Sequence, residues 1–308
     1  MLGTAHMHCT FMSAAAAAAD AAAASPDGRV DDAVHVTAIM ASATRALAIE
    51  KFGINGQGRG AIDRFIAGDA AISTAAASVS SARLARMALR TWIVDRWLLN
   101  VSRSCTQVVL MGAGLDTRCF SLPLPHETRV FELDLPVVIS MKSHLLASWA
   151  SPCQLFHVPC DLSHPSWAEL LLHAGFLQQR TVWLCEGLTM YLRNDAVAAM
   201  LRRMRELSSQ GSHLLLHAMP PPHPDEVSGA HVPYEFSASA AECSALLQEI
   251  GWTPAPAITY ASALADVQLD PTLEAHAVQG ICSALFAASS GCDSLSADFA
   301  PYFIPACI

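Results

Sequence analysis

Hydrophobic positions change their spacing near residue 105 of the chain. Before that point, apolar residues recur every three or four positions over residues 33–50 and 78–100, which predicts two amphipathic helices separated by a glycine-rich loop at residues 53–60. After it, short apolar runs alternate with segments of helical length. This alternation predicts an α/β fold with a doubly wound, mostly parallel sheet behind an N-terminal helical lid.

The predicted strands are five apolar runs. They cover residues 106–111, 129–133, 155–160, 181–185 and 213–219. The clearest helix between two of them covers residues 195–207, because its apolar residues fall on one stripe and Asn194 precedes it as the expected N-cap.

Charge and composition exclude several classes of protein. The chain has 18 Lys and Arg against 27 Asp and Glu, so it lacks the basic excess that binding to nucleic acid requires. A run of about 18 strongly apolar residues, the signature of a membrane helix, does not occur in the sequence. The ten cysteines form no Cys-x-x-Cys motif and residues 1–28 contain no Lys or Arg, so we expect reduced thiols and a cytoplasmic protein.

Candidate ligand-binding residues follow the predicted strands, at the edge where parallel sheets bind their ligands. The first strand ends in Gly112, Ala113 and Gly114, a turn whose backbone amides can approach a ligand closely. Thr117 stands where the dinucleotide fingerprint requires a third glycine. The turn therefore favours a nucleotide ligand without a pyrophosphate.

Acidic residues end the next three strands. Glu132 and Asp134 lie on one face of the second strand, where they can accept hydrogen bonds from ribose hydroxyls or can simply face solvent. Asp161 can accept from an adenine amine or cap the segment that follows it. Glu186 emerges from an apolar strand, and carboxylates are rare in such positions. Acids at three consecutive strand ends favour a nucleoside ligand.

Arg90 interrupts an apolar stripe on the second predicted helix, between Met87 and Val94. A guanidinium group in apolar surroundings needs an anionic partner. The pattern leaves open whether that partner is a ligand or a carboxylate of the chain itself.

Three segments resemble the leucine carboxyl methyltransferase-like family of S-adenosylmethionine-dependent methyltransferases. They read Val-Val-Leu-Met-Gly-Ala-Gly-Leu-Asp-Thr-Arg at residues 108–118, Val-Phe-Glu-Leu-Asp-Leu-Pro at 130–136 and Trp-Leu-Cys-Glu-Gly-Leu-Thr-Met-Tyr-Leu at 183–192. The Ala-Leu-Arg-Thr sequence at residues 88–91 belongs to the same resemblance, which extends roughly over residues 33–255 and is strongest with the bacterial-type branch.

The resemblance implies a role for each candidate residue toward S-adenosyl-L-methionine. Arg90 would hold the cofactor carboxylate, and the turn of Gly112, Ala113 and Gly114 would pass close to the methionine portion. The remaining cofactor-binding residues would be Asp134 at the ribose, Asp161 and Leu162 at the adenine, and Glu186, which would also act as the catalytic residue at the methyl-transfer site.

The resemblance implies an O-methyltransferase that acts on a carboxylate or hydroxyl of a small molecule. Methylation of a protein C-terminal leucine carboxylate is an alternative acceptor. A hydroxyl acceptor needs a general base, and Glu186 or His217 is the candidate. A nicotinamide oxidoreductase would use the same turn and Asp134 but also a Tyr-x-x-x-Lys motif, which the chain lacks. A nucleoside-binding protein with impaired catalysis is the third class.

The expected organisation is an extension followed by one methyltransferase domain. Residues 1–30 are rich in alanine and are predicted as a low-complexity extension; residues 31–308 form the domain. Within the domain we expect the helical lid at 31–100, the cofactor-binding core at 101–260 and a divergent C-terminal part at 261–308. In that last part, alanine- and serine-rich segments stand where the family's sheet would close with antiparallel strands.

Overall fold

The computed structural model describes residues 29–54, 59–221, 234–270, 272–289 and 302–308. In these ranges the helices that precede the sheet are α1 (Arg29–Phe52), α2 (Arg59–Ser78) and α3 (Ser81–Val101). The predicted extension lies outside the described residues except for its last two positions, which begin α1.

The helix α2 corrects the sequence analysis, which expected two helices in this region. Its buried face includes Ile62, Ile66 and Ile72, but Gly68 has a φ of 73° and interrupts the helix with a kink. The kink breaks the three-to-four residue periodicity, so the pattern of apolar residues did not reveal the helix.

Within the described residues the sheet has eight strands, and its core is parallel. They are β1 (Gln107–Met111), β2 (Arg129–Asp134), β3 (Gln154–Pro159), β4 (Thr181–Cys185), β5 (His213–Ala218), β6 (Thr253–Pro254), β7 (Ile258–Thr259) and β8 (Tyr302–Cys307). The strand order is β3-β2-β1-β4-β5-β8-β6, with β7 also paired to β8. Strands β1 to β5 pair in parallel, and β8 is antiparallel to its neighbours. The predicted α/β class and doubly wound sheet are confirmed.

Helices connect the strands and cover both faces of the sheet. They are α4 (Arg118–Ser121), α5 (Pro136–Leu145), α6 (Trp167–His173), α7 (Asn194–Leu207), α8 (Ala240–Ile250), α9 (Tyr260–Leu269) and α10 (Ala275–Ser289). Every predicted strand lies within one residue of its observed bounds. Asn194 is the first residue of α7 and not its N-cap; Arg193 occupies the cap position and makes no side-chain capping bond.

The C-terminal strand β8 is the second correction, because the sequence analysis expected no closing antiparallel strand. The strand was not predicted because it contains Pro305, and proline is rare inside paired strands. The carbonyl oxygen of Pro305 accepts a hydrogen bond from the amide of Ala255 at 2.8 Å, between the short strands β6 and β7. Proline has no backbone N–H, but an N–H at position 305 would point toward the same gap between β6 and β7 and away from β5. The pairing of β8 with β5 therefore loses no hydrogen bond.

Successive side chains along each strand point to opposite faces of the sheet and fill two hydrophobic layers. One face of the sheet packs under α1, α3, α9 and α10, with Leu110 and Phe303 at its centre. The other face packs under α6, α7 and α8, with Phe131 and Trp183 fully buried. The inner parallel strands β1, β2, β4 and β5 are buried on both faces, which explains their nearly continuous apolar sequences. Among the described residues, none of the helices is long and apolar enough to cross a membrane.

Candidate active site

The glycine turn lies at the carboxyl end of β1, as the sequence predicted. The carbonyl oxygen of Leu133 in β2 accepts from the amides of Gly112 and Ala113 at 2.9 and 3.0 Å. Gly114 has a φ of 48°, and a Cβ built on it would meet no atom within 4 Å. The turn is therefore fixed to the neighbouring strand and borders open space.

Asp134 completes this turn from the end of β2. Its Oδ2 accepts from the amide of Gly114 at 2.7 Å, and its Oδ1 accepts from the amide of Leu135 at 2.7 Å. Burial raises the pKa of Asp134, against the opposing effect of these two amides. Each carboxylate oxygen keeps a second lone pair that can accept from a ligand hydroxyl.

Glu132 shares a strand face with Asp134, but it lies in the interior and not at the sheet edge. Its Oε2 is 2.7 Å from Nζ of Lys142 and 3.4 Å from Nε2 of His157. Burial acts to raise the pKa of Glu132, but Lys142 and His157 lower it overall. Of the two acids on this strand face, only Asp134 lies at the sheet edge, whereas Glu132 pairs with a buried lysine that sequence reasoning did not identify.

Asp161 lies beside Asp134, since the amide of Cys160 donates to the carbonyl oxygen of Asp134 at 2.8 Å. The Asp161 Oδ1 accepts from the amide and hydroxyl of Ser163 at 2.8 and 2.7 Å. Asp161 is exposed and caps this turn, which is one of the two roles the sequence left open, and its Oδ2 makes no hydrogen bond to the described residues. Leu162 is buried next to it.

Glu186, at the end of β4, is held by two arginines. Its Oε1 accepts from Nε of Arg90 on α3 at 2.6 Å, and its Oε2 accepts from Nη1 of Arg118 on α4 at 2.6 Å. Burial opposes ionisation of Glu186, but Arg118 and Arg90 hold the pKa of its carboxyl well below the usual range. An acid this strong is a poor proton acceptor at neutral pH, so the geometry argues against Glu186 as a general base.

Gly187 provides the space for this pairing. Its φ is 70°, and a Cβ at this position would lie 2.7 Å from Nη2 of Arg90. Any other residue would push the Arg90 guanidinium away from Glu186. The glycine of the Glu-Gly pair is thus required by the close approach of the arginine.

Glu186 and its two arginines belong to a larger buried arginine–carboxylate network. Its members are Arg45, Arg59, Arg90, Arg118, Asp63, Asp95, Asp116 and Glu186. Arg118 donates to Asp95 at 2.6 Å and also to Asp116, while Arg59 lies 2.5 Å from Asp95. The network contains equal numbers of cations and carboxylates, which offsets the cost of removing each charge from water.

Sequence reasoning identified only Arg90 and Glu186 of this network as candidates. Asp95 directly follows the apolar run of residues 92–94, and Arg59 and Asp63 are four residues apart on α2. Charged residues embedded in apolar helix faces were the available signal. The partner of each charged residue could not be predicted from the sequence, because it depends on how the helices pack over the sheet.

His217, on β5, lies beside Glu186 in the described structure. Its Nδ1 accepts from the amide of Gly187 at 3.2 Å, which assigns the ring proton to Nε2, and its ring packs on Phe303 with centroids 4.7 Å apart. Burial, reinforced by Arg90, lowers the pKa of His217 to about 3. At neutral pH the ring is neutral and its only lone pair is engaged, so the geometry argues against His217 as the general base.

Comparisons with known proteins place the chain in a family. The family model for leucine carboxyl methyltransferase matches residues 10–205, and the chain belongs to this family. The match includes the helices that supply Arg45, Asp63 and Arg90 as well as β1 to β4.

Curated relatives match the central part of the chain. A protein of Parafrankia sp. (strain EAN1pec) is 39% identical over 136 residues, which cover 43% of this chain and 44% of the relative. A protein of Mycobacterium marinum is 38% identical over 143 residues, covering 46% of this chain and 44% of the relative. Both carry the provisional name S-adenosyl-L-methionine-dependent methyltransferase. The chain thus spans less than half of the length of these relatives.

Solved structures of low sequence identity share the fold. A protein from Thermobifida fusca YX, provisionally described as a methyltransferase, is 14% identical with a TM-score of 0.52, covering 85% of this chain and 93% of its own. A DUF574 family protein from Streptomyces avermitilis is 17% identical with a TM-score of 0.52, covering 80% and 95%. These likenesses confirm the predicted class I methyltransferase fold.

Replacing Arg118 tests the energetic role of the network. In an Arg118→Met variant, Asp95, Asp116 and Glu186 lose their shared cation, so we expect the free energy of unfolding to fall by about 3–5 kcal/mol in urea titrations. The matched control is Arg202→Met, which breaks the exposed pair with Glu249 and should cost less than about 1 kcal/mol. Equal losses in the two variants would contradict the role assigned to the network.

Acid should weaken the same network. Burial acts to raise the pKa of Asp116, but Arg118 and Arg59 lower it from 3.8 to about 2. A folded-state pKa below the unfolded value stabilises the protein fully above the unfolded pKa and progressively less as pH falls through the folded pKa. We therefore expect the free energy of unfolding to decline between about pH 4 and pH 2, and to decline less steeply in Asp116→Asn. Identical slopes in urea titrations of both proteins would contradict this account.

Proposed function

We propose that this protein is an S-adenosyl-L-methionine-dependent O-methyltransferase that acts on a carboxylate or hydroxyl group of a small molecule. Family membership supports methyl transfer, and the provisional names of the relatives support the cofactor. The observation that carries the proposal is the pairing of Arg90 with Glu186 beside the glycine turn and Asp134. Together these groups complement a ligand that is both an amino acid and a nucleoside.

The residues present fit such a cofactor. The Arg90 guanidinium uses its Nε on Glu186 and keeps other N–H donors for a carboxylate, while Glu186 can accept from an ammonium group. Asp134 retains lone pairs for two hydroxyls, and the open space beside Gly114 leaves room along the turn. Asp161, whose Oδ2 accepts no hydrogen bond from the described residues, and Leu162 lie next to Asp134, as an adenine subsite would require.

When bound, S-adenosylmethionine supplies a methyl group on a sulfonium, which is an activated leaving group. The protein then has to align the acceptor oxygen and exclude water, and alignment alone can contribute about 7–11 kcal/mol. Arg90 comes from α3, and Arg59 and Asp63 from α2, so the network holds these helices at the sheet edge. This placement supports the proposal that residues 31–100 form a lid over the site.

The state of the candidate bases favours a carboxylate acceptor over a hydroxyl. A hydroxyl nucleophile needs a base, whereas a carboxylate is already ionised at neutral pH. Each oxygen of Glu186 accepts from an arginine that keeps the carboxylate ionised, and His217 has its lone pair engaged by Gly187. Neither group is suited to remove a proton.

A further cation on α3 also favours an anionic acceptor. Arg86 lies one helical turn before Arg90 on the same helix face. Burial lowers the pKa of Arg86, while the nearby Tyr260 acts in the opposite direction. A carboxylate bound near Arg86 would relieve the cost of burying this charge.

Calorimetric titration with S-adenosylhomocysteine, the reaction product, tests the cofactor. We expect saturable binding of this ligand and no binding of NADH. Arg90→Met should weaken binding by about 10- to 100-fold, the value of one charge-assisted hydrogen bond. The control Arg64→Met changes an exposed arginine of α2 and should bind as the parent does.

Binding of NADH, or parental affinity in Arg90→Met, would contradict the cofactor assignment. The acceptor is then tested with a methyl-labelled cofactor and pooled small carboxylic acids, phenols and alcohols. A methyl ester releases labelled methanol in mild alkali, whereas an ether does not. A peptide that ends in a free leucine carboxylate, beside the same peptide as its amide, tests the alternative acceptor.

A further inference from the structure

Two cysteines lie together behind the glycine turn, in a part of the molecule that the proposed reaction does not use. Cys119 is on α4, and Cys153 immediately precedes β3. The Cys153 sulfur lies 3.8 Å from the carbonyl oxygen of Cys119, and the Ser151 hydroxyl bridges the same oxygen at 2.8 Å and the Cys153 sulfur at 3.3 Å. The two cysteines therefore lie in direct contact in the interior.

The surroundings of the two thiols are unequal. The Cys119 thiol donates to Oε1 of Glu132 at 3.2 Å and is 1% exposed, whereas Cys153 is 8% exposed. The neighbouring Cys119 side chain lowers the pKa of Cys153 to about 7; burial opposes this effect and Ser151 reinforces it. The neighbouring Cys153, burial and the charge of Glu132 raise the pKa of Cys119 well above its ordinary value.

Four other buried cysteines lack this activation. Burial raises the pKa of Cys160 and of Cys185 to about 12, and it also raises the pKa of Cys105 and Cys243. At pH 7 about half of Cys153 would be thiolate, against on the order of one part in 10⁵ for a thiol of pKa 12. Because thiolates and not thiols react with oxidants, Cys153 is the selective target among these residues.

We propose that Cys119 and Cys153 form a modification site, a thiol pair that a hydroperoxide oxidises to an intramolecular disulfide. The contacts place a more accessible cysteine beside a buried partner that can resolve its oxidised form. This proposal stands independently of the methyltransferase assignment, because it concerns thiol chemistry alone.

The chemistry balances with a hydroperoxide as the oxidant. The Cys153 thiolate attacks one peroxide oxygen, the O–O bond breaks, and Cys153 becomes a sulfenic acid while hydroxide or alkoxide leaves and takes up a proton. The Cys119 sulfur then attacks the Cys153 sulfur, the S–O bond breaks, and the departing hydroxide leaves as water with the Cys119 proton. Two thiols lose two electrons, and the hydroperoxide gains them.

Disulfide formation would also alter the interior next to the candidate cofactor site. The Cys119 thiol would no longer donate to Glu132, which would keep Lys142 as its cation. The new bond would tie α4, whose Arg118 holds Glu186, to the start of β3. The proposed disulfide therefore lies next to α4, the helix that helps to position Glu186.

The experiment treats the full, pre-reduced chain with hydrogen peroxide, blocks the remaining thiols by alkylation and analyses the digest by mass spectrometry without reduction. We expect a Cys119–Cys153 linked peptide that disappears on treatment with dithiothreitol. In Cys119→Ser, dimedone should trap a sulfenic acid at Cys153. In Cys153→Ser, dimedone labelling of Cys119 should be at least about tenfold lower.

The matched control is Cys307→Ser, which removes an exposed cysteine and should leave the linked peptide unchanged. Circular dichroism verifies that each variant is folded, and Cys119→Ala replaces Cys119→Ser where the serine is not tolerated. The proposal is overturned if Cys119 and Cys153 of the parent stay open to alkylation while Cys307 is oxidised. It is equally overturned if dimedone labels Cys119 in preference to Cys153.

Discussion

The carboxylate of Glu186 accepts hydrogen bonds from Arg90 on α3 and from Arg118 on α4. Bringing a carboxylate out of water costs several kcal/mol, and here guanidinium groups from two different parts of the fold offset that cost. One arginine belongs to the helices that precede the sheet, and the other to the turn after β1. The same contacts that keep Glu186 ionised therefore fix these helices over the edge of the sheet.

The electrostatic arrangement also limits the chemistry of the site. Glu186 is an anion held by two arginines, and His217 is a neutral ring whose Nδ1 accepts from Gly187. A site of this kind offers binding, orientation and exclusion of water, and offers no proton acceptor among these two groups. That combination suits a leaving group that is already activated and an oxygen nucleophile that is already ionised.

Much of the fold could be predicted from the sequence, because parallel strands buried on both faces carry short apolar runs with polar residues at their ends. The helix α2 and the strand β8 escaped detection, since Gly68 and Pro305 interrupt the periodicities that reveal such elements. The strand-end positions of the glycine turn, Asp134, Asp161 and Glu186 were also predictable, and their roles toward a cofactor stay predictions.

The partners of the charged residues were not predictable. Arg90 and Glu186 are 96 positions apart, and Arg118 and Asp95 are 23 apart, so only the packing of helices on the sheet brings them together. Glu132 illustrates the converse, because strand periodicity placed it correctly on the face of Asp134 while its burial against Lys142 removed it from the site.

The central claim is that the Arg90–Glu186 pair recognises the amino-acid portion of the cofactor. The most direct measurement compares the binding of S-adenosylhomocysteine with that of 5′-methylthioadenosine, which lacks the amino and carboxyl groups, in the parent protein and in Arg90→Met. The account predicts that the parent prefers S-adenosylhomocysteine and that the variant loses most of this preference. Equal affinity of the parent for both ligands, or an unchanged preference in the variant, would contradict it.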